Sequence, residues 1–280
     1  MKRTFLVFLL LAISLIGFAQ SKRIDTANML CSYVYEYLTD TLLGEQQCKE
    51  DLLYLQIGAG SSKCYSYYTY QCDSLMAALN GDKQWDSFLI EAIGKGLKGK
   101  QLRNAIPHRR MSATIYKNYS QGKITVTDFL LGQYYLYEDA INSQEWNIES
   151  DSMKKVLGYE CQKATCNFRG RKWTAWFALD VPISDGPWKF CGLPGLIMEV
   201  YDWGKQYYFG INGLQQVCAT PITFGVLDKK FKHFQKTSRK DFLQSKYKYL
   251  RNKNSINEAS TGISLGSVDD VPKFDLIERE

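Results

Sequence analysis

The chain has 280 residues, 45% of them hydrophobic, and carries 35 Lys or Arg against 29 Asp or Glu, a formal charge of +6. Beyond the N-terminus no stretch is long and apolar enough to cross a bilayer, which excludes a protein of many membrane helices. Two histidines and the absence of any CxxC pair exclude the usual structural zinc sites and a redox CxxC.

Lys2 and Arg3 precede a run of about 14 nearly continuous apolar residues, 5–18, ending at small residues before Gln20. That is the pattern of a secretory signal peptide, and the run is short for a membrane span of about 20 residues. Cleavage after Ala19 leaves about 261 residues with a charge of about +4. The expected location is outside the cytoplasm, the periplasm first and the extracellular space second. In an oxidising compartment the even set Cys31, Cys48, Cys64, Cys72, Cys161, Cys166, Cys191 and Cys218 suggests disulfides within each half of the chain.

Alternation and β-propensity predict strands over 31–41, 51–57 and 64–71, with a flexible turn at 58–62. Residues 73–81 and 85–97 read as helices, the second ending in the Gly94, Gly96 and Gly99 series. Residues 114–120 and 123–129 form a hairpin about Gln121-Gly122, and 134–141 fits either a strand or a helix. Segments 159–168 and 172–179 bracket Arg169-Gly170-Arg171 as a second hairpin. Its period of two places Trp173, Ala175 and Phe177 on one face and Trp176 on the other. A third hairpin spans 196–202 and 206–211, and a further strand runs through 214–218.

Between the last two hairpins lies GPWKFCGLPGLIME, residues 186–199. Gly and Pro punctuate it while Trp188, Phe190, Leu193, Leu196 and Ile197 demand burial, so it reads as a shaped loop pressed on a core, either a plug or a lid. Residues 229–253 hold ten Lys or Arg and only Asp241 as an acid, with aromatics interleaved. They suggest a basic helix that docks by its aromatics or lies on an anionic membrane surface; export makes nucleic acid a poor partner. The tail, 254–280, is polar and more acidic and is expected to be mobile. One domain over 20–253 is expected.

No GxSxG, HExxH or phosphate-binding glycine loop is present, so no catalytic set, cofactor or metal is assigned. Cys191 beside Lys189, and the carboxylates Asp180, Asp185, Glu199 and Asp202, are the groups a hydrolase could draw on. Arg169, Arg171, Trp176, Trp188, Phe190, Leu193 and Leu196 are the candidates for binding a ligand or partner.

The string Cys191-Gly192-Leu193-Pro194-Gly195-Leu196-Ile197, with Gly158–Ala164, Phe168-Arg169-Gly170-Arg171, Ala175-Trp176-Phe177 and Pro182–Trp188, resembles the GLPGLI family of exported proteins of Bacteroidetes. The resemblance spans about residues 30–220, most densely 146–203. It implies a signal peptide and supplies no catalytic set. Long antiparallel strands with aromatic turns are also similar to the half-barrels of lipoprotein carriers, which implies an acyl chain in a concave face. The expected fold is mainly β (α+β): a large curved antiparallel sheet or half-barrel with a few packing helices, stabilised by disulfides. The expected function is noncatalytic, binding a hydrophobic ligand or an envelope protein. A hydrolase acting on an envelope component and a structural or assembly factor are the alternatives.

Overall fold

The computed structural model describes residues 22–39, 47–141, 144–227, 231, 233–252, 256 and 275–279. The expected signal peptide, residues 1–19, lies outside them, as does most of the tail before Asp275. Among the described residues twelve strands form one open sheet in the order β12-β6-β5-β4-β3-β2-β1-β11-β10-β9-β8-β7.

The sheet is two local meanders joined by one seam. In the first, β1 (Lys22–Thr39), β2 (Gln47–Gly58), β3 (Ser61–Ser66), β4 (Thr114–Asn118), β5 (Lys123–Leu130) and β6 (Gln133–Ala140) pair with their chain neighbours. In the second, β7 (Asn147–Val156), β8 (Tyr159–Phe168), β9 (Arg171–Ala178), β10 (Leu196–Asp202) and β11 (Tyr207–Phe224) do the same. The seam pairs β1 with β11, from Lys22 opposite Phe224 to Tyr37 opposite Tyr207. A two-residue strand, β12 (Gln235–Lys236), lies parallel to β6.

Register shows why one face is the core. Cys31, Leu55, Cys64, Ile115, Val126 and Tyr137 stand side by side across six strands, all buried. Across the seam Tyr35, Phe209, Val200, Ala175 and Ala164 continue an apolar row. The opposite face carries Glu199, Trp176, Lys163 and Glu149 in one row. The alternation thus separates buried Trp173 from half-buried Trp176, as the period of two requires.

Helices α1 (Tyr67–Ala77), α2 (Gly81–Gly94) and α3 (Gly99–Ala105) fill the crossover from β3 to β4, and α4 (Arg239–Arg251) packs on β6. The expected strand over 64–71 stops at Ser66, whose hydroxyl accepts from the Thr69 N–H and caps α1. The ambiguous segment 134–141 is β6, and 206–218 is one long strand. Helix α3 and strand β7 were not expected from the pattern. Among the described residues the basic segment is helical over Arg239–Arg251.

The expected disulfide framework and the half-barrel are overturned. The sheet is open, ending at β12 and β7, and no disulfide forms among the described residues. Cys31 and Cys64 sit in one row with Leu55 between them, two strand spacings or about 10 Å apart, beyond the roughly 7 Å limit between bridged Cα atoms. Cys161 and Cys166 are five residues apart on β8, about 16 Å along the strand. Cys31, Cys64, Cys161, Cys166 and Cys191 serve instead as small core residues. Ellman's reagent should label exposed Cys48 and Cys218 in the native protein and reach the six buried thiols only on unfolding. Reductant should leave the melting temperature unchanged; a fall of several degrees would restore the bridged reading.

Candidate functional site

The strap between β9 and β10, residues 179–195, lies on the core face and is a plug. Trp188, Phe190, Leu193 and Leu196 are each at most 4% exposed. The Phe190 ring meets Trp173 edge-on with centroids 4.7 Å apart, and Trp188 lies 5.9 Å from Phe168. Trp188 adopts φ of 51°, a left-handed conformation that its packing must hold against an intrinsic cost. A Cβ on Gly195 would land on the Ala178 carbonyl, so only glycine permits that approach.

Polar groups fix the plug from β4 and from the link between β6 and β7. Lys117 on β4, 1% exposed, donates to Asp185 Oδ1 at 2.5 Å, to the Gly186 carbonyl at 2.6 Å and to the Phe190 carbonyl at 2.8 Å. Gln144 brackets the strap, donating to the Lys189 carbonyl and accepting from the Cys191 N–H. Trp146 Nε1 donates to the Cys191 carbonyl at 2.8 Å.

Lys189 projects from the strap toward β6 and is 1% exposed. Its Nζ reaches Asp139 Oδ2 at 2.8 Å and Glu278 Oε1 at 2.6 Å. Arg169 pairs with Asp139 at 3.0 Å, and Arg239 at the start of α4 lies 3.5 Å from Glu278. Arg169 and Gly170, with φ of 52° and 73°, make the tight β8–β9 turn that aims the Arg169 side chain here.

Glu278 belongs to the segment 275–279, which docks against Arg171 and Tyr207 and bends at Ile277 and Glu278. Arg171, with its side chain 2% exposed, donates to the Leu276 carbonyl at 2.8 Å and the Ile277 carbonyl at 3.1 Å. Asp202 and Gln206 hold the same guanidinium at 2.9 and 3.1 Å. The Arg279 N–H donates to the Arg169 carbonyl at 2.9 Å, and the Tyr207 hydroxyl donates to the Asp275 carbonyl. Burial pushes the Asp275 carboxyl up, but Arg279 and Arg171 outweigh it and hold the group below its ordinary range. Open space flanks the seat. A cleft of about 560 Å³ lies beside Lys172, Trp203 and Arg279, and a recess of about 270 Å³ separates Leu243 and Tyr247 from Leu276.

Among the sequence candidates, then, Arg169 and Arg171 converge on the C-terminal segment, while Trp188, Phe190, Leu193 and Leu196 form the plug. Trp176 stands on the opposite face, with Lys154 4.6 Å from its ring centroid. Sequence reasoning took Lys189 only as a neighbour of Cys191 and passed over Tyr207 and Glu278 as site residues. The signal for Lys189 was available: a lysine between Trp188 and Phe190 enters the core with them and requires a buried acid.

The groups of the hydrolase reading do not assemble. Cys191 is buried, its thiol pushed up to about 11 by burial, and it donates weakly to the Ile141 carbonyl. Asp185 is paired with Lys117, Glu199 with Lys154 and Asp202 with Arg171.

Two crystal structures of PNGF-II, in space groups P21 and C2, are similar at 11% identity, with TM-scores of 0.48 and 0.45. They cover 79% and 77% of this chain, which spans about a third, 33% and 32%, of theirs. No curated protein sequence matches the chain. A family model described as "Protein of unknown function (Porph_ging)" matches residues 168–199, a segment that runs from the Arg169-Gly170 turn through β9 and the plug into β10.

Proposed function

We propose that this is a noncatalytic, exported protein of the cell envelope that binds a protein partner, taking a short acidic segment across Arg171, Arg169 and Lys189. One observation carries the reading. The chain's own residues 275–279 lie on that track, with the backbone read by Arg171 and Tyr207 and a carboxylate received by Lys189. Backbone hydrogen bonds give affinity for a short peptide, and the buried lysine selects an acid at one position. The hydrophobic-ligand version has less support, because the strap's apolar residues fill the core face. The exported location rests on residues 1–19.

A fluorescent peptide of sequence DLIERE tests the reading with the full chain. The tethered segment competes at an effective concentration of order millimolar, so the unaltered protein should bind the free peptide poorly. Glu278→Ala in the full chain weakens that competitor and should raise peptide affinity about tenfold, while adding Arg171→Ala should abolish binding. If Glu278→Ala gives no gain in anisotropy over the unaltered chain, the proposal fails.

A further inference from the structure

The seat of Glu278 holds more positive charge than Glu278 neutralises. Lys189, Arg169 and Arg239 all converge on this carboxylate and share Asp139 as their other acid. With Glu278 in place the cluster keeps a surplus of one positive charge; without it, the surplus is two. Neighbouring charges do not change that balance. Asp128 pairs with Lys246, and Arg171 and Arg279 are matched by Asp202 and Asp275.

The hydrogen bonds show the same mismatch. Oε1 of Glu278 meets Lys189 at 2.6 Å and accepts from the Tyr137 hydroxyl at 3.3 Å. Oε2 is buried and accepts no hydrogen bond among the described residues. Arg239 Nη1 lies 3.5 Å from it and Arg169 Nε 3.9 Å, neither in bonding geometry. Both nitrogens are themselves buried without an acceptor. Buried charged donors left unused are costly, so a carboxylate underfills the seat. A recess of about 270 Å³ bordered by Leu243, Leu276 and Glu278 leaves room for a larger group.

From this mismatch we infer that the Glu278 seat is a site for a phosphate monoester dianion, with Glu278 standing in for it; that a peptide segment carries the phosphate rests on the acidic-segment reading above. A phosphoryl group brings a charge of about −1.5 to −2 at neutral pH and three acceptor oxygens. The charge matches the surplus of two, and the added oxygens supply acceptors for Arg169 Nε and Arg239 Nη1 while Lys189 keeps its own. A phosphoserine holds its oxygens as many bonds from Cα as glutamate does. The exchange therefore leaves the segment's carbonyls on Arg171 and Tyr207. Free phosphate offers the same oxygens without that backbone.

The full chain carrying Glu278→Ala is titrated with fluorescent DLIERE and with the same peptide bearing phosphoserine in place of its first glutamate. The phosphopeptide should bind about tenfold more tightly. Adding Arg169→Gln and Arg239→Gln should remove that gain and change DLIERE affinity less than about threefold, because neither arginine hydrogen-bonds the carboxylate. Inorganic phosphate at about 10 mM should raise the melting temperature of Glu278→Ala by a few degrees over chloride of equal ionic strength, and the added arginine substitutions should cancel the rise. A tie between the two peptides with no rise in phosphate overturns the inference, and DLIERE binding by itself still supports the acidic-segment reading. A rise in phosphate with neither peptide bound assigns the seat to the free ion and sinks the acidic-segment reading instead.

Discussion

Lys117→Ala should lower the unfolding free energy by about 3–5 kcal/mol, the cost of leaving one partner of a buried ion pair alone. The two side chains are 1% and 0% exposed, so solvent screens neither. The substitution strands the Asp185 carboxylate and removes the donor of the Gly186 and Phe190 carbonyls. Each buried carbonyl without a donor costs about 1–3 kcal/mol. Lys117→Met with Asp185→Leu should recover only part of the loss, because it removes the charge problem and leaves both carbonyls unsatisfied. Urea denaturation followed by tryptophan fluorescence reads both variants; a loss below about 1 kcal/mol for Lys117→Ala would show that the plug holds without its lysine.

Alkaline pH should destabilise the protein steeply above about pH 9.5. Burial raises the Cys31 thiol and pushes Cys64 and Cys191 up to about 11 and Cys166 up to about 12, from an ordinary 9.0. Above pH 9 the unfolded chain releases these protons while the native protein keeps them. Stability is therefore fully present below pH 9 and is lost as pH rises through 11–12. Each thiol contributes a slope of about 1.4 kcal/mol per pH unit there, and four together roughly 5. Lys63 opposes them. Burial lowers it to about 8 from 10.5, so the unfolded chain holds the extra proton between those values and stability rises with pH by about 1.4 kcal/mol per unit. The net slope is roughly −4 kcal/mol per pH unit above pH 9.5. Against a total of about 5–15 kcal/mol, the lower end is exhausted near pH 10.5 and the upper end only above about pH 12. Urea midpoints unchanged from pH 8 to 10.5 would contradict the burial of these thiols.

The parts of this architecture that were legible in sequence are those where local pattern and environment agree. Trp173, Ala175 and Phe177 recur at a period of two because β9 turns that face into the core, and the Arg169-Gly170 turn carries its own conformational signature. Residues 64–71 misled because Tyr and Thr favour strands, whereas Ser66 captures the Thr69 N–H and turns the chain into α1. The cysteines misled because parity and compartment speak to bonding, while their burial depends on strand register that spacing does not reveal. The C-terminal segment was read as part of a polar, acidic tail. Its place depends on Lys189, some ninety residues earlier, and a charge that folding buries leaves no local periodicity to detect.

The seam between β1 and β11 sets an order of assembly. Each meander closes through neighbours in the chain, so both halves can form early and separately. The β1 edge must then stay open until a strand about 180 residues downstream arrives, and an open edge invites pairing with any other chain. The Lys117 and Lys189 contacts cross from one meander to the other and form only once both are present. They act as latches that make zipping of the two halves hard to reverse. A chain arrested before β11 is then the species most exposed to self-association.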